Sequence, residues 1–192
     1  MNTRRAVFLD RDGTINEEVG YLCRLEDLAL IEGAGSAIRL LNDSGYKVIV
    51  ITNQSGVARG FFDEFFVRKV HEEMASRLSK SNAYVDRWYY CPHHATEGKG
   101  KYKIECDCRK PSRGMVDLAI KELDIIPEES FVVGDGIRDL KIARLVGAKP
   151  ILVLTGYGEK TLSRLSPQQK SELPHIAPDL FDACTWICKY CW

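Results

Sequence analysis

Two aspartates near the start of the chain stand directly after a short apolar run. Asp10 and Asp12 follow residues 6–9, and Gly13 and Thr14 complete the motif. Side chains two positions apart in an extended chain point to the same side, so both carboxylates can face one small volume where a strand ends. We interpret the pair as a candidate reaction centre. The alternative is a strand that ends in a solvated, aspartate-rich turn.

Polar side chains that suit phosphate chemistry follow other predicted strands. A hydroxyl with adjacent backbone amides stands at Thr52 to Ser55, and a second carboxylate pair, Asp135 and Asp139, follows the strand over 131–133. Lys110 lies between an arginine and a proline just before a helix. Carboxylates, a hydroxyl and a lysine are together the groups that phosphate cleavage needs. Taken singly, Lys110 could be a surface lysine, Thr52 a strand end and Asp139 a helix-surface charge.

A second cluster combines three cysteines with a histidine: Cys91, His93, Cys106 and Cys108. Three thiolates and one imidazole match the tetrahedral, four-coordinate preference of structural Zn²⁺. The stretch over 94–105 is rich in glycine and lysine and too polar to order itself by burial, so a metal clip at its ends would hold its shape. All four positions are filled by protein, which predicts a structural role. His94 is the rival to His93, and a set of unrelated free cysteines is the other alternative.

Strand-like and helix-like patterns alternate along the chain. We predict strands over 6–9, 47–52, 87–90, 131–133 and 150–154, and helices over 34–44, 64–80, 115–123 and 140–145. Such alternation predicts a three-layer α/β/α fold, in which helices cover both faces of a doubly wound parallel sheet. Ligands bind at the carboxyl ends of the strands in such sheets, where the motifs above lie. We expect one domain, 1–192, with the zinc loop 91–108 inserted and a polar excursion over 158–174.

Composition and charge limit the functional classes. The 192 residues include 27 basic and 27 acidic side chains, so the formal net charge is zero. This balance argues against a nucleic-acid or membrane-surface role carried by bulk charge. No apolar run is long enough for a signal-peptide core or a membrane span, which favours a cytoplasmic protein. Nothing in the sequence determines the oligomeric state, and a monomer is the default expectation.

Three further cysteines lie near the C-terminus. Cys184, Cys188 and Cys191 have spacings of four and three, which place them on one helical face. A second metal site is one interpretation. Buried cysteine behaves as a small hydrophobe, and these residues belong to an ordinary apolar stripe, so we favour core packing. Cys23 has no companion in the sequence.

The order of the motifs resembles the haloacid dehalogenase (HAD) superfamily over nearly the whole chain. The motifs are Asp-x-Asp-Gly-Thr, Thr-Asn, Lys and Gly-Asp-x-x-x-Asp, in that order. Members of the superfamily are mostly phosphotransferases that use an aspartate nucleophile and magnesium. The resemblance implies that Asp10 is the nucleophile, which forms an aspartyl-phosphate. It implies that Asp12 is the general acid and base.

The same resemblance assigns roles to the remaining groups. Thr52 and Lys110 would hold the phosphoryl oxygens as charge redistributes. Mg²⁺ would be bound by Asp10, by the backbone carbonyl of Asp12 and by Asp135. Asp139 would orient the metal ligands without binding the ion itself.

Longer elements narrow the resemblance to the histidinol-phosphatase-like branch, and within it to the heptose bisphosphate phosphatases. These elements are Cys-Pro-His-His, Cys-Asp-Cys-Arg-Lys-Pro and Thr-Asn-Gln-Ser-Gly-Val-Ala-Arg-Gly. They imply removal of the C7 phosphate from a small sugar bisphosphate, in the supply of heptose for bacterial surface glycans. No large cap domain is expected, since about 40 residues separate Asp12 from Thr52, and the zinc loop would form one wall of the site. Histidinol phosphate is the alternative substrate, and an inactive, zinc-stabilised binding module is the alternative of another class.

The resemblance also implies a set of substrate contacts. Arg59 is added because an arginine fork suits a second phosphate, and a solvated arginine is the alternative. At one position the chain departs from the family pattern: similar enzymes often carry a lysine directly after the metal-binding aspartate, and here Gly136 stands there, with Arg138 two residues on. The departure leaves the anomer and the exact substrate open. The predicted contacts are Asp10, Arg11, Asp12, Glu18, Val19, Gly20, Tyr21, Thr52, Asn53, Gln54, Ser55, Arg59, Arg109, Lys110 and Gly136.

Overall fold

A computed structural model describes residues 4–190 of the chain, and its central feature is a six-stranded parallel sheet. The strands are β1 (Ala6–Leu9), β2 (Lys47–Asn53), β3 (Arg87–Cys91), β4 (Phe131–Gly134), β5 (Lys149–Val153) and β6 (His175–Ala177). They lie in the order β3-β2-β1-β4-β5-β6. The direction of winding reverses between β1 and β4, and this switch point is where α/β sheets of this kind bind ligands.

Helices cover both faces of the sheet. The helices are α1 (Ala34–Asp43), α2 (Ser55–Arg59), α3 (Glu64–Ser79), α4 (Gly114–Leu123), α5 (Ile137–Val146), α6 (Gly158–Arg164), α7 (Pro167–Ser171) and α8 (Leu180–Tyr190). Buried side chains of α1, α3 and α8 form one core with the sheet, and those of α4 and α5 form the other. The predicted three-layer α/β/α architecture is therefore confirmed.

The central strand β1 is apolar throughout because it is buried on both faces. Ala6 and Phe8 belong to the core under α4 and α5, whereas Val7 and Leu9 belong to the core under α1, α3 and α8. The strand pairs with β2 and β4 on its two sides. The N–H of Asp10 then donates to the carbonyl of Val133 at 3.0 Å. This bond carries the chain one residue past β1 and places Asp10 at the switch point.

The predicted elements are present, with differences mostly at their ends. Helix α5 begins at Ile137, three residues before the predicted start, because the Asp139 carboxylate accepts a hydrogen bond from the Gly136 N–H at 3.1 Å and caps the first turn. The apolar residues with helical spacing start only at Leu140, so the sequence pattern does not indicate this first turn. The polar excursion over 158–174 contains α6 and α7. The strand β6 has three residues and lies at the sheet edge, so its pattern is too short to detect.

The C-terminal cysteines pack as hydrophobic residues where the structure describes them. Cys184 is fully buried in the core under α8, and Cys188 packs against the same core. Cys191 lies outside the described residues. Within residues 4–190, no helix combines the length and the apolar character needed to cross a membrane.

Candidate active site

Lys110 joins two carboxylates in the interior of the site. Its Nζ lies 2.8 Å from Oδ1 of Asp10 and 2.7 Å from Oδ1 of Asp139. The three side chains come from the end of β1, from the loop before α4 and from the first turn of α5. Burial disfavours the charge on Lys110, but the two carboxylates outweigh it and raise the pKa of Lys110 to about 12. The lysine is therefore charged at neutral pH and can neutralise negative charge that gathers at Asp10.

Asn53, the last residue of β2, holds the backbone of Lys110. Its Nδ2 donates to the Lys110 carbonyl at 3.1 Å, and the Lys110 N–H donates to Asn53 Oδ1 at 3.0 Å. This reciprocal pair ties the loop before α4 to the end of the neighbouring strand. The sequence predicted Asn53 as a substrate contact. In the structure its amide group positions the lysine.

Asp12 is held by three neighbouring side chains. Arg11 donates from Nη2 to both carboxylate oxygens at 2.9 Å. Asn16 donates to Oδ1 at 3.0 Å, and Gln54 donates to Oδ2 at 2.9 Å. Burial acts to raise the pKa of Asp12, but the charge of Arg11 and these hydrogen bonds outweigh burial and lower it. Asp12 is thus ionised at neutral pH, the form that accepts a proton.

Thr52 is buried at the end of β2, and its hydroxyl is oriented by Gln54. The Gln54 Nε2 donates to Thr52 Oγ1 at 2.8 Å, while the same amide nitrogen contacts Asp12. Because the hydroxyl oxygen accepts this bond, its own hydrogen stays available for another acceptor. Gln54 therefore links the hydroxyl to the carboxylate, and both line the same cavity.

Backbone groups enclose Asp135 beyond the carboxyl end of β4. The Tyr157 N–H donates to Asp135 Oδ2 at 2.7 Å. A Cβ atom at either Gly13 or Gly156 would lie 2.3 Å from the same oxygen. Both glycines have positive φ, +76° and +56°, which glycine adopts without a steric penalty. Glycine at these two positions lets the chain close around the carboxylate.

Three carboxylates form a cluster that fits a divalent cation. Oxygens of Asp10, Asp135 and Asp139 lie within 4.8 Å of one another. Burial and the neighbouring carboxylates raise the pKa of Asp10 to about 8, against the pull of Lys110. Burial also raises the pKa of Asp135 to about 7, against the hydrogen bond from Tyr157. A hard cation such as Mg²⁺ prefers oxygen ligands and would relieve this repulsion, and Lys110 already engages Asp139.

A cavity of about 490 Å³ opens onto these groups. Three predicted substrate contacts, Val19, Arg59 and Arg109, do not line it. Arg59 forms an ion pair with Glu97 at 2.8 Å, and Arg109 donates to the His93 carbonyl at 3.0 Å. The predicted contacts that do line the cavity are Asp10, Arg11, Asp12, Glu18, Gly20, Tyr21, Thr52, Asn53, Gln54, Ser55, Lys110 and Gly136.

Sequence reasoning missed one wall of this cavity. Tyr157, Lys160, Thr161 and Arg164, from α6 and the residue before it, line the wall. Arg138, two residues after Gly136, lines the cavity as well. The spacing of four residues between Lys160 and Arg164 indicates that both would lie on one face of a helix. Only the packing of α6 shows that this face is turned toward the reaction centre.

The four predicted zinc ligands come together at the end of β3. The Cys108 Sγ lies 3.1 Å from that of Cys91 and 3.3 Å from that of Cys106, and the Cys91 and Cys106 sulfurs are 3.6 Å apart. The Nδ1 of His93 lies 3.4 Å from Cys108 Sγ and 3.9 Å from Cys91 Sγ. A tetrahedral Zn²⁺ site has ligand-to-ligand edges of about 3.8 Å. The four side chains could therefore hold one such ion.

His94 and the rest of the loop have other contacts. His94 Nδ1 accepts from the Glu97 N–H at 3.1 Å, and His94 does not belong to the group of four ligands. Tyr102 donates its hydroxyl to Glu64 of α3 at 2.7 Å, and the Lys99 N–H donates to the carbonyl of Ala58 in α2 at 2.8 Å. The loop therefore docks on two helices as well as on the Cys/His cluster.

Comparison with known proteins places the chain in a family. The HAD-hydrolase-like family model matches residues 107–183. The D-glycero-β-D-manno-heptose-1,7-bisphosphate 7-phosphatase of Haemophilus ducreyi is 47% identical over 155 residues, 80% of this chain and 85% of that protein. The chain belongs to the heptose bisphosphate phosphatase family. A second member, the D-glycero-D-manno-heptose-1,7-bisphosphate 7-phosphatase of Thermosynechococcus vestitus, is 41% identical over 191 residues, 97% of each chain.

Solved structures agree with membership of the heptose bisphosphate phosphatase family. The D,D-heptose 1,7-bisphosphate phosphatase of B. bronchiseptica, solved with magnesium and phosphate, matches with a TM-score of 0.84 and 32% identity, covering 95% of this chain and 97% of that one. The enzyme of Burkholderia thailandensis matches with a TM-score of 0.70 and 29% identity, covering 96% and 99%. The resemblance to HAD-type phosphatases inferred from the sequence motifs is confirmed.

Proposed function

We propose that the protein removes the C7 phosphate of D-glycero-D-manno-heptose 1,7-bisphosphate through an aspartyl-phosphate intermediate. The observation that carries the proposal is the contact between the charged Lys110 and Asp10, 2.8 Å apart, in a cavity that Asp12 also lines. The substrate is suggested by the names of the relatives, which are heptose-1,7-bisphosphate 7-phosphatases. The product would be the heptose 1-phosphate.

In the first step, Asp10 attacks phosphorus and the bond to the C7 oxygen breaks. Lys110 holds a phosphoryl oxygen from the side of Asp10, and the free hydrogen of the Thr52 hydroxyl is available for another. Charge that develops on these oxygens meets donors already in position, so little reorganisation is needed. In the second step, water attacks the aspartyl-phosphate and Asp10 is regenerated.

Asp12 would serve both steps by exchanging a proton. Its lowered pKa keeps it ionised in the free protein, so its carboxylate can accept a proton from the attacking water. For the first step it must carry a proton to the leaving oxygen, and an incoming phosphate dianion raises its affinity for that proton. The hydrogen bonds from Arg11, Asn16 and Gln54 keep the carboxylate in one orientation throughout.

We propose Mg²⁺ as the catalytic ion and Zn²⁺ as a structural ion. Asp10 and Asp135, with the backbone carbonyl of Asp12, would hold Mg²⁺, which when bound offsets the repulsion between carboxylates and a phosphate dianion. Cys91, His93, Cys106 and Cys108 would hold Zn²⁺ and keep the loop over 91–108 in place. What supports both proposals is donor chemistry: oxygens in one cluster, thiols and an imidazole in the other.

The decisive experiment is a substrate panel with the purified protein and Mg²⁺. We expect phosphate release from heptose 1,7-bisphosphate to exceed release from histidinol phosphate by about 100-fold or more in kcat/KM. ³¹P NMR of the product should show the C1 phosphate retained. Equal rates, or faster cleavage of histidinol phosphate, would overturn the assignment of the substrate but leave the proposed reaction mechanism in place. No magnesium-dependent release from any ester, including an aryl phosphate, would favour the inactive binding module.

We also propose that the protein acts as a monomer in the cytoplasm. None of the six cysteines among the described residues forms a disulfide, a state that reducing compartments maintain. Light scattering of the zinc-loaded protein tests the oligomeric state, and the mass of two chains would contradict the proposal.

A further inference from the structure

Cations line the cavity in two regions, which differ in whether carboxylates pair with them. At the reaction centre, the cations are engaged: Arg11 with Asp12, and Lys110 with Asp10 and Asp139. Three other cations, Arg138, Lys160 and Arg164, are exposed and line the same cavity. No carboxylate among residues 4–190 lies within ion-pair distance of these three groups. We call Arg138, Lys160 and Arg164 the cationic wall.

The wall is attached directly to the reaction centre. The residue before α6, Tyr157, donates its N–H to Asp135 at 2.7 Å. A Cβ at Gly158 would lie 1.9 Å from the carbonyl oxygen of Val153, so the first turn of α6 packs tightly against β5. Lys160 and Arg164 are one helical turn apart and share a face. Their position relative to the carboxylates is therefore set by main-chain contacts.

Two arginines nearer the zinc loop are already engaged. Arg109 donates to the His93 carbonyl at 3.0 Å, and Arg59 is neutralised by Glu97 at 2.8 Å. An anion that enters the cavity meets its uncompensated positive charge on the side of α5 and α6.

We propose that Lys160 and Arg164, with Arg138, bind the phosphate that is not cleaved. This inference rests on the proposed function and extends it, since it names the residues that decide which end of the bisphosphate reaches Asp10. A guanidinium and an ammonium group suit a phosphate dianion, because charge-assisted hydrogen bonds form to several of its oxygens. A monophosphate whose distal end is neutral leaves the wall without a partner.

Equilibrium binding tests the wall separately from catalysis. Heptose 1,7-bisphosphate and heptose 7-phosphate are titrated, with Mg²⁺, into the Asp10→Asn protein with and without the double substitution Lys160→Gln and Arg164→Gln. We expect the double substitution to raise the Kd of the bisphosphate about 30-fold or more. The Kd of the 7-phosphate, which lacks the distal phosphate, should change less than about 3-fold. Lys141→Gln, an exposed lysine of α5 that does not line the cavity, is the matched control.

The outcomes separate this inference from the proposed function. Equal changes in Kd for the two ligands, or no change for either, would overturn the wall as a phosphate site. If the wild-type protein fails to hydrolyse the bisphosphate, yet the double substitution selectively weakens bisphosphate binding, the proposed function is overturned and the wall is supported. As a further check, Arg164→Lys should keep most of the bisphosphate affinity, because the positive charge remains. Thermal melts of each variant verify that these exposed substitutions leave the fold intact.

Discussion

The reaction centre and the Cys/His cluster both lie at the carboxyl edge of the sheet, but they are held together differently. In the reaction centre, side chains from one element are fixed by groups of another: Lys110 by Asn53, and Asp12 by Gln54. In the cluster, the polar contacts of the Cys91 sulfur are with the other three ligands.

This difference separates two ways of building a site. The reaction centre draws its geometry from the sheet and from hydrogen bonds between its elements. The cluster combines donors that attract one another weakly and gain most from a shared cation. Loss of one side chain should therefore disable chemistry in the first region and local structure in the second.

Asp10→Asn should produce the largest effect, confined to the reaction centre. Without a carboxylate nucleophile, turnover of an aryl phosphate is expected to fall about 10⁴-fold or more, since the step that the residue performs has no substitute. The zinc content, measured by mass spectrometry of the metal, should stay at that of the wild type. Asp117→Asn, which removes an exposed carboxylate paired with Arg113, is the control. A turnover within about 10-fold of the wild type would exclude Asp10 as nucleophile.

Cys108→Ser should produce the reverse pattern. We expect the zinc content to fall close to zero and the free energy of unfolding to drop by about 3 kcal/mol or more. Limited proteolysis should then cut the loop over 94–105. Cys23→Ser, an exposed cysteine outside the cluster, should leave metal content and stability unchanged. Full zinc occupancy in the Cys108 variant would show that the cluster is a packing arrangement of free thiols.

Asn53→Ala tests how far the reaction centre depends on positioning. Removing the reciprocal hydrogen bonds should let the Lys110 backbone shift, and kcat is expected to fall about 10- to 100-fold with KM little changed. Asn42 makes the same pair of bonds with the backbone of Tyr84, at 3.1 and 3.0 Å, on the surface. Asn42→Ala is therefore a matched control that should leave kcat unaffected. If both variants keep wild-type kcat, Asn53 has no positioning role.

His71, on helix α3, should give the smallest effect. Its ring is buried and stacked on Trp88 of β3 at 4.8 Å. Burial, and then the charge of Arg11, lowers the pKa of His71 from 6.5 to about 3. Between these values the unfolded chain binds a proton that the folded protein does not, so stability falls as the pH decreases below 6.5, by about 1.4 kcal/mol per pH unit.

The substitution His71→Phe keeps the stacked ring and removes the titration. Urea unfolding at several pH values should therefore give a flatter dependence of stability on pH below 6.5 for this variant than for the wild type. Parallel curves for the two proteins would mean that His71 is not buried in the neutral form. Activity at neutral pH should be unchanged, since the ring is neutral there in both proteins.

Most of the site could be predicted from the sequence, because parallel strands place their carboxyl ends at one edge of the sheet. Asp10, Thr52 and Asp135 could be brought together from the sequence for that reason. The role of Asn53 could not, because its partner is a backbone group 57 positions away. The ion pair of Arg59 with Glu97 could not be predicted either, because a charge pattern does not show which residues lie side by side.

The sequence by itself determined the alternation of elements, the motifs at the strand ends and the donor set of the Cys/His cluster, because each is encoded in local spacing and residue type. Tertiary structure decided which charges remain uncompensated in the cavity. Lys160 and Arg164 lie in a stretch that the sequence marks only as polar, and the packing of α6 against β5 turns them toward the reaction centre. Compensation of charge depends on distances between elements, and local sequence does not encode those distances.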